Sequence, residues 1–315
     1  MNKTLIVAAL AAMTAGTAFA QSSVTIYGRF NVTAESANRG GVKVKELDNN
    51  ASRIGFRGVE DLGGGLKAGF TLEHGFNADT GTVGSSFWGR QSEVNLSGGF
   101  GMLRLGNFTS EAYFATADYI SMHNHDTGNS EDKLYAYVGR NGNKIAYRTP
   151  ELIKGMTLEA AYSMPEGGGR EKSYDLAWNY ASGPLQLGAG YEKNGKSKQY
   201  AVRGLYELGA FVVGAYVQRD TDGYGTNIGD RTTYRLSGAY NFGANELHLN
   251  YGAAGKYSKV ADSAAKQYTV AYNYNLSKRT KVYTYYTKVD NNKFIYGPTT
   301  TKDFSSIAFG VRHNF

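Results

Sequence analysis

Gln267-Tyr-Thr-Val-Ala-Tyr-Asn-Tyr-Asn275 puts Tyr268, Val270, Tyr272 and Tyr274 on one side of an extended chain and Gln267, Thr269, Ala271 and Asn273 on the other. Successive side chains of a strand point to opposite faces, so the segment is an apolar ribbon backed by a polar one. Ser173 to Tyr180 repeats it, with Tyr174, Leu176, Trp178 and Tyr180 against Ser173, Asp175, Ala177 and Asn179. Tyr234, Leu236, Gly238, Tyr240 and Phe242 alternate in the same way with Arg235, Ser237, Ala239 and Asn241. No helical period of comparable length competes.

Outward from these runs, strands are expected near residues 23–33, 51–60, 66–76, 87–96, 101–107, 143–149, 156–164, 172–181, 185–193, 197–207, 210–219, 230–241, 246–254, 265–275, 280–289 and 303–315. The run 210–219 has no clean face. The count is sixteen, and an even number lets a closed antiparallel barrel keep both termini on one side. Short turns such as Asp61 to Gly65, Ser182 to Pro184 and Leu208 to Gly209 alternate with longer polar segments such as Asn77 to Ser86 and Asp220 to Gly229. That is the pattern of short periplasmic turns and long external loops. Phe108 to Gly139 is far longer than the other connections, and long loops in compact folds are commonly functional.

The 315 residues include 41 glycines, 25 tyrosines, 15 phenylalanines, 4 prolines and no cysteine. Without cysteine there is no disulfide framework, thiolate nucleophile or zinc ribbon. The aromatic content of 13% speaks against disorder. Mean hydropathy is −0.42, and beyond the first twenty positions no stretch is long and apolar enough for a spanning helix. A spanning barrel stays open, because its strands alternate lipid-facing and lumen-facing residues. In lipid every backbone polar group must be paired within the protein, so strands cross only as a closed barrel. A soluble sandwich has the same periodicity. Aromatic residues recurring at the ends of the runs, as interface girdles do, favour the barrel, and sixteen strands leave an aqueous lumen.

Met1 to Lys3 is a short positive segment, Leu5 to Met13 an apolar one, and Ala18-Phe19-Ala20 a small-x-small site. This order reads as a secretory signal peptide over residues 1–20, leaving a single barrel domain over 21–315. Removing Lys3, the only charged residue of the leader, lowers the formal net charge from +7 to +6. That excess is dispersed and exported, so nucleic acid is not an expected partner.

Four stretches resemble the general diffusion porins of Gram-negative outer membranes, in their beta-proteobacterial form. They are Ser23-Val-Thr-Ile-Tyr-Gly-Arg29, SRIGFRGVEDLGGGLKAGFTLE from Ser52 to Glu73, GRQSEVNLSGGFGMLRLGNF from Gly89 to Phe108, and FGVRHNF from Phe309 to Phe315. The resemblance implies a 16-stranded antiparallel transmembrane β-barrel in the outer membrane, a homotrimer among lipids and lipopolysaccharide, with the third external loop folded into the lumen. It implies passive diffusion of small hydrophilic solutes and ions with no cofactor or turnover. It also implies basic wall residues facing loop acids. Matched motif to motif, the wall positions are Arg29, Arg53, Arg90 and Arg140. Period two independently places Arg29 opposite Ile26, Gly28 and Phe30, and Arg53 and Arg57 opposite Ile54 and Phe56. The lumen is also the cheap place for them, since arginine on the lipid face at the midplane costs about 2–4 kcal/mol.

The loop acids are Glu111, Asp118, Asp126, Glu131 and Asp132. The Pro-Glu-Phe-Gly-Gly turn of the enteric porins is absent from this loop, and Pro165-Glu-Gly-Gly-Gly169 falls after the seventh strand by coincidence. With the wall arginines outnumbering the acids that face them, weak anion preference is expected. In the fourth strand Arg90, Ser92, Val94 and Leu96 are read as inward and Gln91, Glu93 and Asn95 as outward; a neighbouring subunit covers this polar face, or the register slips by one. Phe315, Val311, Phe309 and Ile307 share one face, and the aromatic C-terminus resembles the outer-membrane assembly signal.

Other chemistry is poorly supported. His123-x-His125-Asp126 lacks the further ligands of a metal site, so no metal is expected. His248 or His74 lacks a recognisable nucleophile motif, which argues against an enzyme. The alternatives to an open channel are a surface barrel that binds host or phage partners and a substrate-specific channel.

Overall fold

A computed structural model describes residues 23–84, 86–118, 130–166, 170–291 and 303–315. One antiparallel sheet closes on itself: β1 (Ser23–Arg39) pairs with β17 (Phe304–Asn314) from Arg29 opposite Asn314 to Arg39 opposite Phe304. The other edge of β1 meets two segments in series, β3 (Arg53–Gly63) along Ser23 to Arg29 and β2 (Val42–Asn49) along Val32 to Arg39. Between them the chain steps at Ala51, whose φ is 59°, and the step is tied to β1 by Asn31, whose amide donates to Ser52 Oγ at 3.0 Å. The two segments are thus one interrupted barrel strand, and seventeen strand segments make a sixteen-stranded closed barrel.

The chain continues through β4 (Leu66–Gly75), β5 (Gln91–Gly98), β6 (Gly101–Asn107), β7 (Lys144–Arg148), β8 (Met156–Ser163) and β9 (Ser173–Ser182). It then forms β10 (Leu185–Asn194), β11 (Ser197–Leu208), β12 (Phe211–Thr221), β13 (Asp230–Phe242), β14 (Asn245–Ala254), β15 (Ala265–Asn275) and β16 (Thr280–Asn291). Each strand pairs with the next, as hairpin connection requires.

The barrel is apolar outside. Leu236 and Val270 are 61% and 53% exposed, whereas Arg235 and Gln267 beside them are 2% and 0% exposed. A soluble sandwich would show the reverse, so burial separates the two architectures where periodicity could not. Exposed tyrosines ring one end (Tyr174, Tyr200, Tyr234, Tyr251, Tyr268, Tyr286), and Tyr206, Phe211, Tyr240, Phe242, Tyr274 and Phe315 ring the other. These are the two aromatic belts of a membrane-spanning barrel.

Three expectations need correction. Residues 34–50 are not a loop but an extension of the β1–β2 hairpin, turning at Gly40 and Gly41, whose φ values of 62° and 93° suit glycine. With the equally tight turn at Gly195-Lys196, it interrupts the alternation of short and long connections. In β5 the faces are reversed: Val94 is 53% exposed and Glu93 is buried against Arg104. Arg90 sits in the bend before Gln91, so its direction does not carry into the strand. β12, unreadable in sequence, turns Val213, Ala215 and Val217 outward and Gly214, Tyr216, Gln218 and Asp220 inward. Tyr216 on the inward face had blurred its pattern.

Candidate functional site

Phe108, fully buried, starts the long connection. The Arg104 guanidinium lies 4.1 Å and the Lys144 ammonium 5.4 Å from its ring centre. Ser110 then accepts from the Ala112 amide at 3.1 Å and caps the short helix α1 (Glu111–Tyr113), which runs on into a π-type turn at Phe114–Asp118. This stretch lies directly on the backbone of β10, where Gly188 and Gly190 leave room. A Cβ at Gly188 would sit 2.0 Å from the Ala115 carbonyl oxygen, and one at Gly190 would sit 2.7 Å from that of Ala112. Arg203 of β11 donates to the same Ala115 carbonyl.

Residues 130–139 bond to inward-facing side chains of β10 to β15. Gln267 donates to the Glu131 carbonyl at 2.8 Å and Arg231 to that of Leu134 at 3.1 Å. Gln218 grips both backbone groups of Ala136, at 2.8 and 2.9 Å, and Glu192 accepts from the amides of Val138 and Gly139 at 3.2 Å each. Asp132 is paired with Arg235 and accepts from the Tyr216 hydroxyl at 2.6 Å. Burial alone would raise the Asp132 carboxyl, but Arg235 and the donors around it outweigh burial and hold it below the usual range. Glu111 is the opposite case: burial pushes its carboxyl up even though Arg148 pairs with it. Burial, reinforced by Glu192, keeps the Tyr135 and Tyr137 hydroxyls neutral.

Directly beyond β15 round the barrel, β16, β17, β1 and β3 carry a different set. Arg29 and Arg53 face each other across β1 and β3, and Arg312 lies between Asn31 and Lys281 in the register. Arg29 donates to Asn314 at 3.0 Å. Glu73 sits between Arg90, at 2.6 Å, and Arg53, at 3.9 Å. Glu246 takes Lys281 at 3.1 Å and His248 at 3.2 Å. Arg57 lies 5.2 Å over the Tyr27 ring. This wall therefore holds the cations Arg29, Arg53, Arg57, Arg90, Lys281 and Arg312 around the carboxylates Glu73 and Glu246. Higher on β1 and β2, Glu35, Glu46 and Asp48 gather close together beside Arg39.

A family model described as Gram-negative porin matches residues 7–293. The chain belongs to the Gram-negative porin family. It is 31% identical over 323 residues to outer membrane porin protein 32 of Delftia acidovorans, covering 90% of this chain and 88% of that protein. With an outer membrane porin protein of Bordetella pertussis it shares 26% over 390 residues, and both are covered in full. The solved structure of an anion-selective porin from Comamonas acidovorans superposes with a TM-score of 0.78 at 27% identity, covering 94% of this chain and 100% of that one. The porin is accordingly an outer-membrane barrel that spans the membrane many times and lets small solutes diffuse through it; its family is one of channels, not enzymes.

Of the positions singled out in the sequence, the porin gathers Arg29, Arg53, Arg57 and Arg90 on one wall. Arg140 stands apart from them, donating to the carbonyls of Glu171, at 2.8 Å, and Met164. Glu111 lies between Arg148 and Asn179, Glu131 pairs with Lys133, and Asp118 ends the π-type turn. Asp126, His123 and His125 lie outside the described residues, as do Gly167 to Gly169 and the proposed leader. His74 stacks on Phe87, with ring centres 4.1 Å apart, on the outward side of β4. His248 faces inward to Glu246 and Asn273. Lys281, Arg312, Arg231 and Arg235 were missed as site residues, although each occupies a polar position of an alternating run.

Proposed function

We propose that this porin is a diffusion channel with weak anion preference, narrowed by the 108–139 connection folding into its lumen as the inward third loop. The observation that carries this is the unequal wall: six cations around two carboxylates, beside the strands that hold the loop. Acids of that loop are occupied elsewhere, Asp132 by Arg235 and Glu111 by Arg148, and so neutralise the basic wall little. Selectivity of a wide pore follows such wall charge. The anion-selective character of the Comamonas acidovorans protein supports the same sign.

The remaining features complete the proposal. Residues 1–20 are an export signal, the end bearing the long connection faces outward from the cell, and Phe315 is the assembly signal. The chain works as a homotrimer among outer-membrane lipids and lipopolysaccharide. A cluster on the outer face supports the trimer: Phe30 packs on Phe76 and Phe315, at 5.1 and 6.2 Å, and Phe56 on Trp88 at 6.1 Å, while neighbouring Phe87 is 59% exposed. Neighbouring subunits would cover it.

The test is planar-bilayer conductance of the native oligomer under a salt gradient. Closure in three steps with a reversal potential favouring chloride in dilute salt supports the proposal. A potential favouring potassium overturns the selectivity, and a single closing step overturns the trimer. The preference should fade with salt, because the Debye length falls from about 30 Å at 0.01 M to about 3 Å at 1 M.

A further inference from the structure

Three successive carbonyls of the long connection are held from beyond it. The Tyr224 hydroxyl lies between the carbonyls of Lys133 and Tyr135, at 3.0 and 2.7 Å, and Arg231 donates to the Leu134 carbonyl at 3.1 Å. Tyr224 belongs to the connection after β12 (222–229), and Arg231 is the second residue of β13. The Arg231 guanidinium lies over two rings, that of Tyr224 at 4.9 Å and that of Tyr257 at 4.6 Å, the second supplied by the connection after β14 (255–264). Both connections leave the barrel at the end that bears the long one. A buried guanidinium is costly unless it is partnered, and a ring face attracts it most where water is excluded. Arg231 is 1% exposed and Tyr257 is fully buried.

Asp220, near the end of β12, joins these parts. It accepts from the Tyr257 hydroxyl at 2.7 Å and the Gly223 amide at 3.0 Å, and it lies 3.6 Å from Arg231. The two connections also bond to each other, the Lys259 amide to the Ile228 carbonyl at 3.1 Å and the Asp230 amide to Ser258 Oγ at 3.1 Å. Apolar side chains would serve if the space only had to be filled. Here the polar groups end on the backbone of residues 133–135 or on the arginine that grips it. We infer that Tyr224, Arg231 and Tyr257 are positioning residues of the channel, a clamp through which the connections after β12 and β14 hold residues 133–135 to the wall and so set the width of the passage. The clamp's effect on the passage rests on reading the 108–139 connection as the narrowing.

The test is trypsin cleavage after Lys133 in the detergent-purified native oligomer, followed by mass spectrometry, with single-channel conductance of the same variants. Tyr224→Phe keeps the ring over Arg231 and removes the hydroxyl, so local opening and this cut should become about tenfold faster, and conductance should rise. Tyr268→Phe, which loses a hydroxyl bonded to Asp290 at 3.0 Å elsewhere on the barrel, should change neither. N227C/K259C, placed where Lys259 Nζ meets Asn227 Oδ1 at 2.7 Å in a chain without cysteine, lets a short bismaleimide tie the two connections together. The tie should slow the cut in the native background and lose that effect when Tyr224→Leu is added, a dependence that side chains filling space would not produce. Heat-modifiable mobility shows that each variant is folded. Unchanged cleavage in folded Tyr224→Phe would overturn the inference. So would faster cleavage at unchanged conductance where Gly188→Leu raises conductance. Unchanged conductance in both variants would overturn the narrowing itself, and the clamp's part in it.

Discussion

Gly188 of β10 and the carbonyl of Ala115 are in such close approach that a Cβ on the glycine would lie 2.0 Å from the oxygen. The long connection rests on the sheet only because that side chain is missing. Gly190 repeats the device beneath Ala112, and Gly252 does so beneath the Leu134 side chain. These glycines are needed for contact and not for a turn.

Gly188→Leu should therefore lift the loop without opening the barrel. Overpacking costs about 1–3 kcal/mol even where side chains can shift, and here the neighbour is backbone. Single-channel conductance should rise and the loop should become sensitive to protease, with heat-modifiable mobility retained. Gly204→Ala is the control, since its Cβ would meet only Leu187 Cδ2, at 3.7 Å. Equal behaviour of the two variants would refute the packing argument.

Asp132→Asn should release the second half of the loop, because it leaves Arg235 buried without its counter-charge, at about 3–5 kcal/mol for a broken buried pair. Glu111→Gln should cost much less, as burial already favours its neutral form. Protease protection of the loop ranks the two, and the opposite ranking would count against these assignments.

The pH dependence has a definite sign. The Asp132 carboxyl is held below its unfolded value, so its contribution is complete above about pH 4 and is lost as pH falls through the lowered folded value. Loop protection should hold at about pH 4 and fail only in stronger acid. Release centred at about pH 5 would mean another group controls docking.

Arg53→Glu and Arg312→Glu should move the reversal potential towards cations in dilute salt, and Lys281→Glu should do the same. Arg140→Glu should shift it less and mainly loosen the segments around Met164 and Glu171, whose carbonyls Arg140 holds. Reversal potentials under a tenfold salt gradient separate the two groups of variants; a larger shift from Arg140→Glu would place the narrowing elsewhere.

Phe315 closes the barrel seam as well as ending the chain. Its amide and carbonyl exchange bonds of 3.1 and 3.0 Å with Gly28, and its ring lies over that glycine. Phe315→Ala should lower the yield of heat-modifiable barrel more than Phe309→Ala, which removes an outward ring in mid-strand. Equal yields would assign Phe315 no special part in assembly.

Period two was enough to sort most side chains into inward and outward sets. The strand period is two whatever the neighbours are, and a membrane makes the apolar set the outer one. Gln267 and Tyr268 were separable on that ground alone. The pattern failed where strand geometry breaks or polarity mixes: the bend at Arg90 detached its direction from Glu93, the step at Ala51 hid a hairpin, and Tyr216 and Tyr283 put aromatic rings on inward faces.

No local pattern disclosed which inward residues hold the loop and which stay on the basic wall beside it. Asp132 meets Arg235 across 103 positions of sequence, and Gly188 meets Ala115 from another strand. Alternation reports the side of the sheet on which a residue lies but not its place round the ring. Closure of β1 on β17 sets that place, and with it the basic wall that follows the loop-holding strands round the ring.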